Sequence, residues 1–230
     1  MAIHTDQEPL PRVEPAPVAR RVPDWPMVSN WPRQVRAPAH DFLSTLHARR
    51  SRIGGSVEEE DLASLLRHST LLRQRRFDGR FGAWESRSAP AAGGLHALHL
   101  LCLPFDKHDA CGLYDAEAHG LRAPNSLEDA RALNKQSVAK IADAEKGTTL
   151  QIVADRHRYE GCYDHCDSLI WRDAGALTAV VSLVATLLGL VSVPLGRHGN
   201  DIVLATQLGV GFVGVGGIHV CSKPPERVSP

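Results

Sequence analysis

Two stretches of this chain contain no charged residue, residues 174–196 and residues 202–221. Each is long enough to cross a bilayer, and Arg197-His198-Gly199-Asn200-Asp201 would form a polar hairpin between them. Runs of that length without charge belong either in lipid or in a buried core, and their content favours the core. The first includes Thr178, Ser182, Thr186, Ser192 and Pro194, and the second Gly209, Gly211, Gly214, Gly216 and Gly217. Glycine at that density reads as a buried strand with close backbone approach. A small membrane hairpin protein stays open as the minor alternative.

The rest of the composition narrows the partners. Lys plus Arg is 26 and Asp plus Glu is 26, so no overall field draws the chain to nucleic acid or to an anionic membrane. Aromatic residues make up 5%, too few for a base-stacking surface. The five cysteines (Cys102, Cys111, Cys162, Cys166 and Cys221) are odd in number and irregularly spaced, unlike a disulfide framework. Residues 1–36 have charges and prolines throughout and no apolar segment of signal-peptide type. The expected location is the cytoplasm, and 230 residues suit one well-buried domain.

Three zones follow. Residues 1–40 form a Pro-rich extended arm or leader with Trp25, Met27 and Trp31, either disordered or docked through its tryptophans on the body or a partner subunit. Residues 41–221 form the body and residues 222–230 a tail. In the body, helix is expected over 41–50, then over a segment capped by Ser56 and Glu59 with Leu62, Leu65 and Leu66 on one face. Strands are expected over 95–103 and 112–115, with a turn at 107–110. A helix capped at Asn125-Ser126 runs to about residue 144, and a strand covers 148–155. Residues 174–190 read as a buried helix and 210–220 as a last strand. Helices and strands without a βαβ rhythm give an α+β fold with a mixed or antiparallel sheet.

Three constellations could carry chemistry. Arg49-Arg50-Ser51-Arg52, at a helix end, offers guanidinium forks and a hydroxyl to a phosphate monoester, or simply complements the helix dipole. Pro90-Ala91-Ala92-Gly93-Gly94-Leu95 precedes a strand, which suits either close approach of a flat ligand or an ordinary tight turn. Asp173-Ala174-Gly175 opens the small-residue helix that ends at Gly189-Leu190, which suits tight packing on a sheet or on an identical helix. The irregular set His157, Cys162, His165 and Cys166 lacks finger-type spacing, so no metal is assigned. Cys102 reads as an inert core thiol, and His96 and His99 as lying on opposite faces of one strand. No catalytic residue is assigned; Tyr114 and Tyr159 are packing tyrosines within reach of a proton-donating role.

In order and spacing, these pieces resemble the nitroreductase-like superfamily, nearest its SagB-type (azoline oxidase-like) branch. Arg49-Arg50-Ser51 is similar to the segment that holds the FMN phosphate, and residues 90–98 to the loop beneath the flavin. Gly112-Leu113-Tyr114-Asp115 with His119-Gly120-Leu121 looks like that branch's strand and turn. Asp173-Ala174-Gly175 through Gly189-Leu190 looks like its central helix. The resemblance implies an α+β fold working as an intertwined homodimer with FMN at the interface. Arg49, Arg50 and Ser51 would hold the phosphate; Ala92, Gly93 and Gly94, and separately Gly189 and Leu190, would line the flavin. It further implies an FMN-dependent oxidoreductase passing hydride through flavin N5 on a peptide-like or small organic substrate. The chain departs from the pattern at Ala91, where serine is usual, and at Cys162-Tyr163, where an arginine is expected. Only Thr178 offers a polar residue early in the central helix, and only Lys223 a late cation. These departures leave room for a binding or scaffold protein that has lost the flavin.

Overall fold

The computed structural model describes residues 7–37, 41–106 and 111–224. The expected turn at 107–110 lies outside them. Eleven strands and six helices follow in chain order among these residues. They are β1 (Leu10–Pro11), β2 (Met27–Asn30), α1 (Phe42–Ala48), α2 (Glu59–Thr70), β3 (Gln74–Gly79), β4 (Gly82–Ser86), β5 (Leu98–Pro104), β6 (Gly112–Asp115) and β7 (Gly120–Arg122). Then come α3 (Glu128–Ala139), β8 (Thr148–Asp155), α4 (Arg156–Glu160), β9 (Tyr163–Asp164), α5 (Asp167–Leu187), β10 (Leu190–Leu195), α6 (Asn200–Ala205) and β11 (Phe212–Ser222).

Seven strands form one antiparallel sheet in the order β10-β11-β8-β5-β6-β7-β2. Its central strands are covered on both sides. Leu100 and Cys102 of β5 and Leu150 and Ile152 of β8 join the core that α2 and α5 cover. Their alternate neighbours Leu101, Leu103 and Val153 pack with Ile202 and Val203 of α6 and Leu127 and Ala130 beside and within α3. The period-two alternation of a strand thus serves two apolar layers at once, and every residue of β8 is buried.

The charge-free runs resolve into this architecture. Each divides into a helical part followed by a strand: α5 then β10, and α6 then β11. Gly189, at φ 79°, ends α5, and β10 begins one residue later. By length and composition α5 alone among the described residues could cross a membrane. Its Ile170, Ala174, Leu177, Val181 and Ala185 are instead packed in the core.

Several local expectations shift. The buried helix spans Asp167–Leu187, earlier than the 174–190 expected, because its polar first turns lie at the surface. The capping box does not form. Glu58 caps α2 without a side-chain bond, and the Ser56 hydroxyl donates to Asp106. Helix α3 stops at Ala139. Strand β5 starts at Leu98, so His96 lies in the preceding turn, at φ 45°, and does not share a strand with His99. Cys102 is fully buried, and burial pushes its thiol well up.

The Pro-rich segment lies on the body. β2 extends the sheet beside β7, and β1 pairs with β9. Trp31 is buried, stacks on Tyr114 with centroids 6.3 Å apart, and donates its indole N–H to Glu59 Oε1 at 2.6 Å.

Candidate functional site

Helix α5 organises the candidate residues, and it places them at its two ends. Near its start, Asp173 accepts the Ala92 backbone N–H, 3.0 Å from each oxygen, and the Tyr159 hydroxyl at 2.7 Å. Ala92–Gly94 is a single turn of 3₁₀ helix, and Gly93 and Gly94 both have left-handed backbone, φ 57° and 64°. A Cβ on Gly93 would stand 2.8 Å from the Tyr163 hydroxyl and 2.9 Å from the Phe81 ring. One on Gly94 would stand 3.0 Å from Trp84 Cβ. The β3–β4 hairpin and Tyr163 therefore require these glycines on packing grounds; Gly93 is the exposed one of the three residues.

At the far end of α5, Gly189 is open, with no atom within 4 Å of where a Cβ would project, and Leu190 is buried at the head of β10. Leu190 pairs with Ser222, which also bridges to Gly55. The segment leading from α1 to Gly55, with Arg49, Arg50 and Ser51, thus comes to this end of the sheet. Arg50 folds back to the carbonyls of His47 and Arg49, at 2.7 and 2.8 Å. Among the described residues, the side chains of Arg49, Ser51 and Arg52 make no hydrogen bond or ion pair.

Within one chain the two groups are not brought together. Asp173 and Gly189 are sixteen residues apart along the helix, which at 1.5 Å per residue is roughly 24 Å. Between them the outward side of α5 exposes Gly175 and Ala179 and half-exposes Leu183. Thr178 donates its hydroxyl to the Ala174 carbonyl at 2.8 Å, so its proton is used within the helix.

Around the Ala92 turn lies a concentration of buried titratable groups that spacing did not reveal. Burial lowers His96 to about 4, although its ring nitrogen meets the Glu85 carbonyl at 2.8 Å. His99 is pushed well down, first by burial and then by Arg20, Arg158, Arg21 and Arg87. Burial works against the Glu85 carboxylate, yet bonds from Arg87 and Arg75 bring it down to about 2. Asp173 and Tyr159 are both raised, burial being the main cause for each. The sequence marked Asp173 as the residue that opens the small-residue helix, and gave no sign of its bonds to Ala92 and Tyr159. Arg20 and Arg21 come from the Pro-rich segment and gave no signal.

The histidines predict an acid limb of stability. His96 and His119 are each lowered from 6.5 to about 4, mainly by burial. Stability held by these neutral rings is fully present above about 6.5 and is lost as pH falls through about 4. Asp173, being raised, runs the other way and opposes part of the fall. Urea unfolding between pH 7 and 4 is expected to show a net loss of several kcal/mol, since each histidine alone accounts for about 3 kcal/mol. His119→Gln should flatten that slope; an unchanged slope would remove His119 from the account.

Neither a protein-family model nor a curated protein sequence matches the chain. Solved structures do. A protein described as a nitroreductase from Ralstonia eutropha JMP134 is 18% identical and superposes with a TM-score of 0.65, over 95% of this chain and 99% of that one. Nitroreductase A from Vibrio parahaemolyticus is 15% identical, with a TM-score of 0.51 over 82% of this chain and 70% of its own. An FMN-dependent nitroreductase from Clostridium difficile R20291 is 15% identical, with a TM-score of 0.50 over 80% and 89%. Identities this low speak to architecture alone, and together with the seven-stranded antiparallel sheet and its long core helix they establish that the chain has the nitroreductase fold.

Proposed function

We propose that the protein is an FMN-dependent oxidoreductase, of SagB type, that works in the cytoplasm as a homodimer on a peptide-like or small organic substrate. The observation that carries this reading is the separation of the candidate residues to opposite ends of α5, across an outward side with no charge between Ala174 and Leu187. Two copies of that helix packed antiparallel would bring the Arg49–Ser51 end of one chain beside the Ala92–Gly94 end of the other. A two-fold contact of this kind builds two equal sites, each completed by the partner. The FMN dependence of the Clostridium difficile protein supports the same cofactor here.

The residues at the two ends fit the group unequally. Arg49, Ser51 and Arg52 have free donors for a phosphate, and Gly189 leaves open space for a ring edge. The Ala92 N–H is already committed to Asp173, so at that turn the contact left is the exposed surface of Gly93. When bound, FMN supplies hydride transfer at its N5 atom. The chain's own contribution is to grip the phosphate, to seat the ring at the exposed Gly93 of the turn that Asp173 holds through Ala92, and to exclude water through the dimer contact.

The committed Ala92 N–H and the self-filled space around Gly93 favour a second reading, a scaffold that has kept the fold and lost the flavin. Visible absorbance of detergent-free protein separates the two. Flavin bands that survive gel filtration and are released on denaturation are expected. A colourless dimer that takes up no added FMN would leave the scaffold, and recovery only in the membrane fraction would overturn both.

A further inference from the structure

Beside the Ala92 turn lies a half-open pocket with an interior of about 40 Å³, lined by Arg20, Ser69, Arg87, Ala91, His96 and Asp173 among others. Three donors in its wall lack partners among the described residues. The Ser69 hydroxyl is fully buried, and so is Arg20 Nε. Arg87, 8% exposed, spends Nε on Glu85 and Nη1 on the Thr70 carbonyl, but Nη2 is buried and unpartnered. The anions at hand are spoken for. Glu85 is held by Arg75 and Arg87, and both Asp173 oxygens are occupied by Ala92 and Tyr159. Arg20 itself has neither ion pair nor hydrogen bond among the described residues, and burial together with Arg87 lowers it to about 10. A buried guanidinium without an anion, as in Arg20, is costly, and the three orphan donors point to a ligand that completes them.

We propose that this cavity binds a carboxylate group, with Arg20 Nε, Arg87 Nη2 and Ser69 Oγ as its donors, and that it anchors the carboxylate of the substrate next to the Ala92 turn. Size selects the head group. One water needs roughly 10–15 Å³, so the interior has room for about three, which suits a planar carboxylate better than a bulkier tetrahedral phosphate. Guanidinium forks and a hydroxyl are the donors such a planar anion takes. Arg20 also lines a groove of about 490 Å³ with Tyr114, Glu117 and Arg122, which offers room for the body of the molecule. The anion site stands on its own geometry; the substrate role rests on the flavin reading above.

The test is thermal unfolding of the full chain in sodium acetate against sodium chloride of equal ionic strength, with absorbance recorded on the same sample. Acetate is expected to raise Tm saturably, by about 5–10 °C at a hundredfold excess over its Kd, and inorganic phosphate to have no such effect. Arg20→Gln should abolish the acetate shift while leaving Tm in chloride unchanged or higher, because it removes a buried charge that has no partner. A lower Tm in chloride with the acetate shift intact would make Arg20 structural and overturn the proposal. So would equal melting in acetate and chloride, or a matching rise in phosphate. A shift in protein that stays colourless after FMN is added sustains the anion site and removes the flavin reading alone; flavin colour without a shift removes the anion site alone.

Discussion

Arg21→Ala is expected to lower the unfolding free energy by about 3 kcal/mol, and Tm by roughly 6–12 °C. Arg21 reaches from the Pro-rich segment to the end of β8, where it donates Nε to Asp155 Oδ2 at 2.9 Å and Nη2 to Oδ1. Its Nη1 reaches the Val210 carbonyl at 2.9 Å, and its guanidinium lies 4.3 Å from the centre of the Phe212 ring. The Asp155 side chain is 0% exposed and that of Arg21 32%. The asymmetry decides the magnitude. Removing the arginine strands a buried carboxylate with no other side-chain partner among the described residues, which is the expensive way to break an ion pair. The partly exposed arginine holds the cost to the lower end of the usual range. Adding Asp155→Leu should recover most of the loss, since the buried leucine needs no counter-ion. Urea unfolding of the two variants measures both steps. A loss below about 0.5 kcal/mol in the single variant would mean that the segment is not clamped by this pair.

How much of this was legible depends on whether a feature is local. Helix α1, β6 and β8 stand where expected because their signals lie within the segment itself. Asp41 caps α1 by accepting the Ser44 N–H at 3.0 Å, and the apolar content of β8 is continuous. The capping box failed because Ser56 found a partner fifty residues away in Asp106, which no local window contains. The β3–β4 hairpin was missed because its strands are mostly exposed and show no alternation. Its Asp78-Gly79 pair was an available turn signal. The long charge-free runs announced burial without saying of what kind. It took the left-handed Gly189 to divide the first into a helix and a strand. At the candidate site, the arginine cluster, the glycine turn and the helix-ending Gly-Leu were visible as sequence, but their separation along α5 was not. The buried donors Arg20 and Arg87 were invisible, because the first lies in a segment read only as polyproline-like chain.

Ala179→Arg is expected to separate the proposed homodimer into single chains and to release the proposed flavin in the same step. Trp171, Gly175, Ala179 and Leu183 recur every four residues, so they form one stripe along the outward side of α5. Gly175 and Ala179 are exposed and a Cβ at Gly175 would meet nothing within 4 Å, so the middle of the stripe is bare in the single chain. On that bare surface an arginine at 179 stays in water, and alanine and arginine have similar helix propensity. The isolated fold should therefore change by less than about 0.5 kcal/mol. In a two-fold contact through the stripe the same guanidinium is buried without a partner, and symmetry introduces it twice. Two such penalties of several kcal/mol weaken association by a thousandfold or more. Gel filtration should give half the wild-type mass with an unchanged circular dichroism spectrum. Flavin should be lost with the dimer, because the phosphate-type end of one chain would no longer face the Ala92 turn of another. A monomer that keeps its colour would put the whole flavin site in one chain. A variant that stays dimeric would put the contact elsewhere, and with it the case for a site shared across α5 would fall.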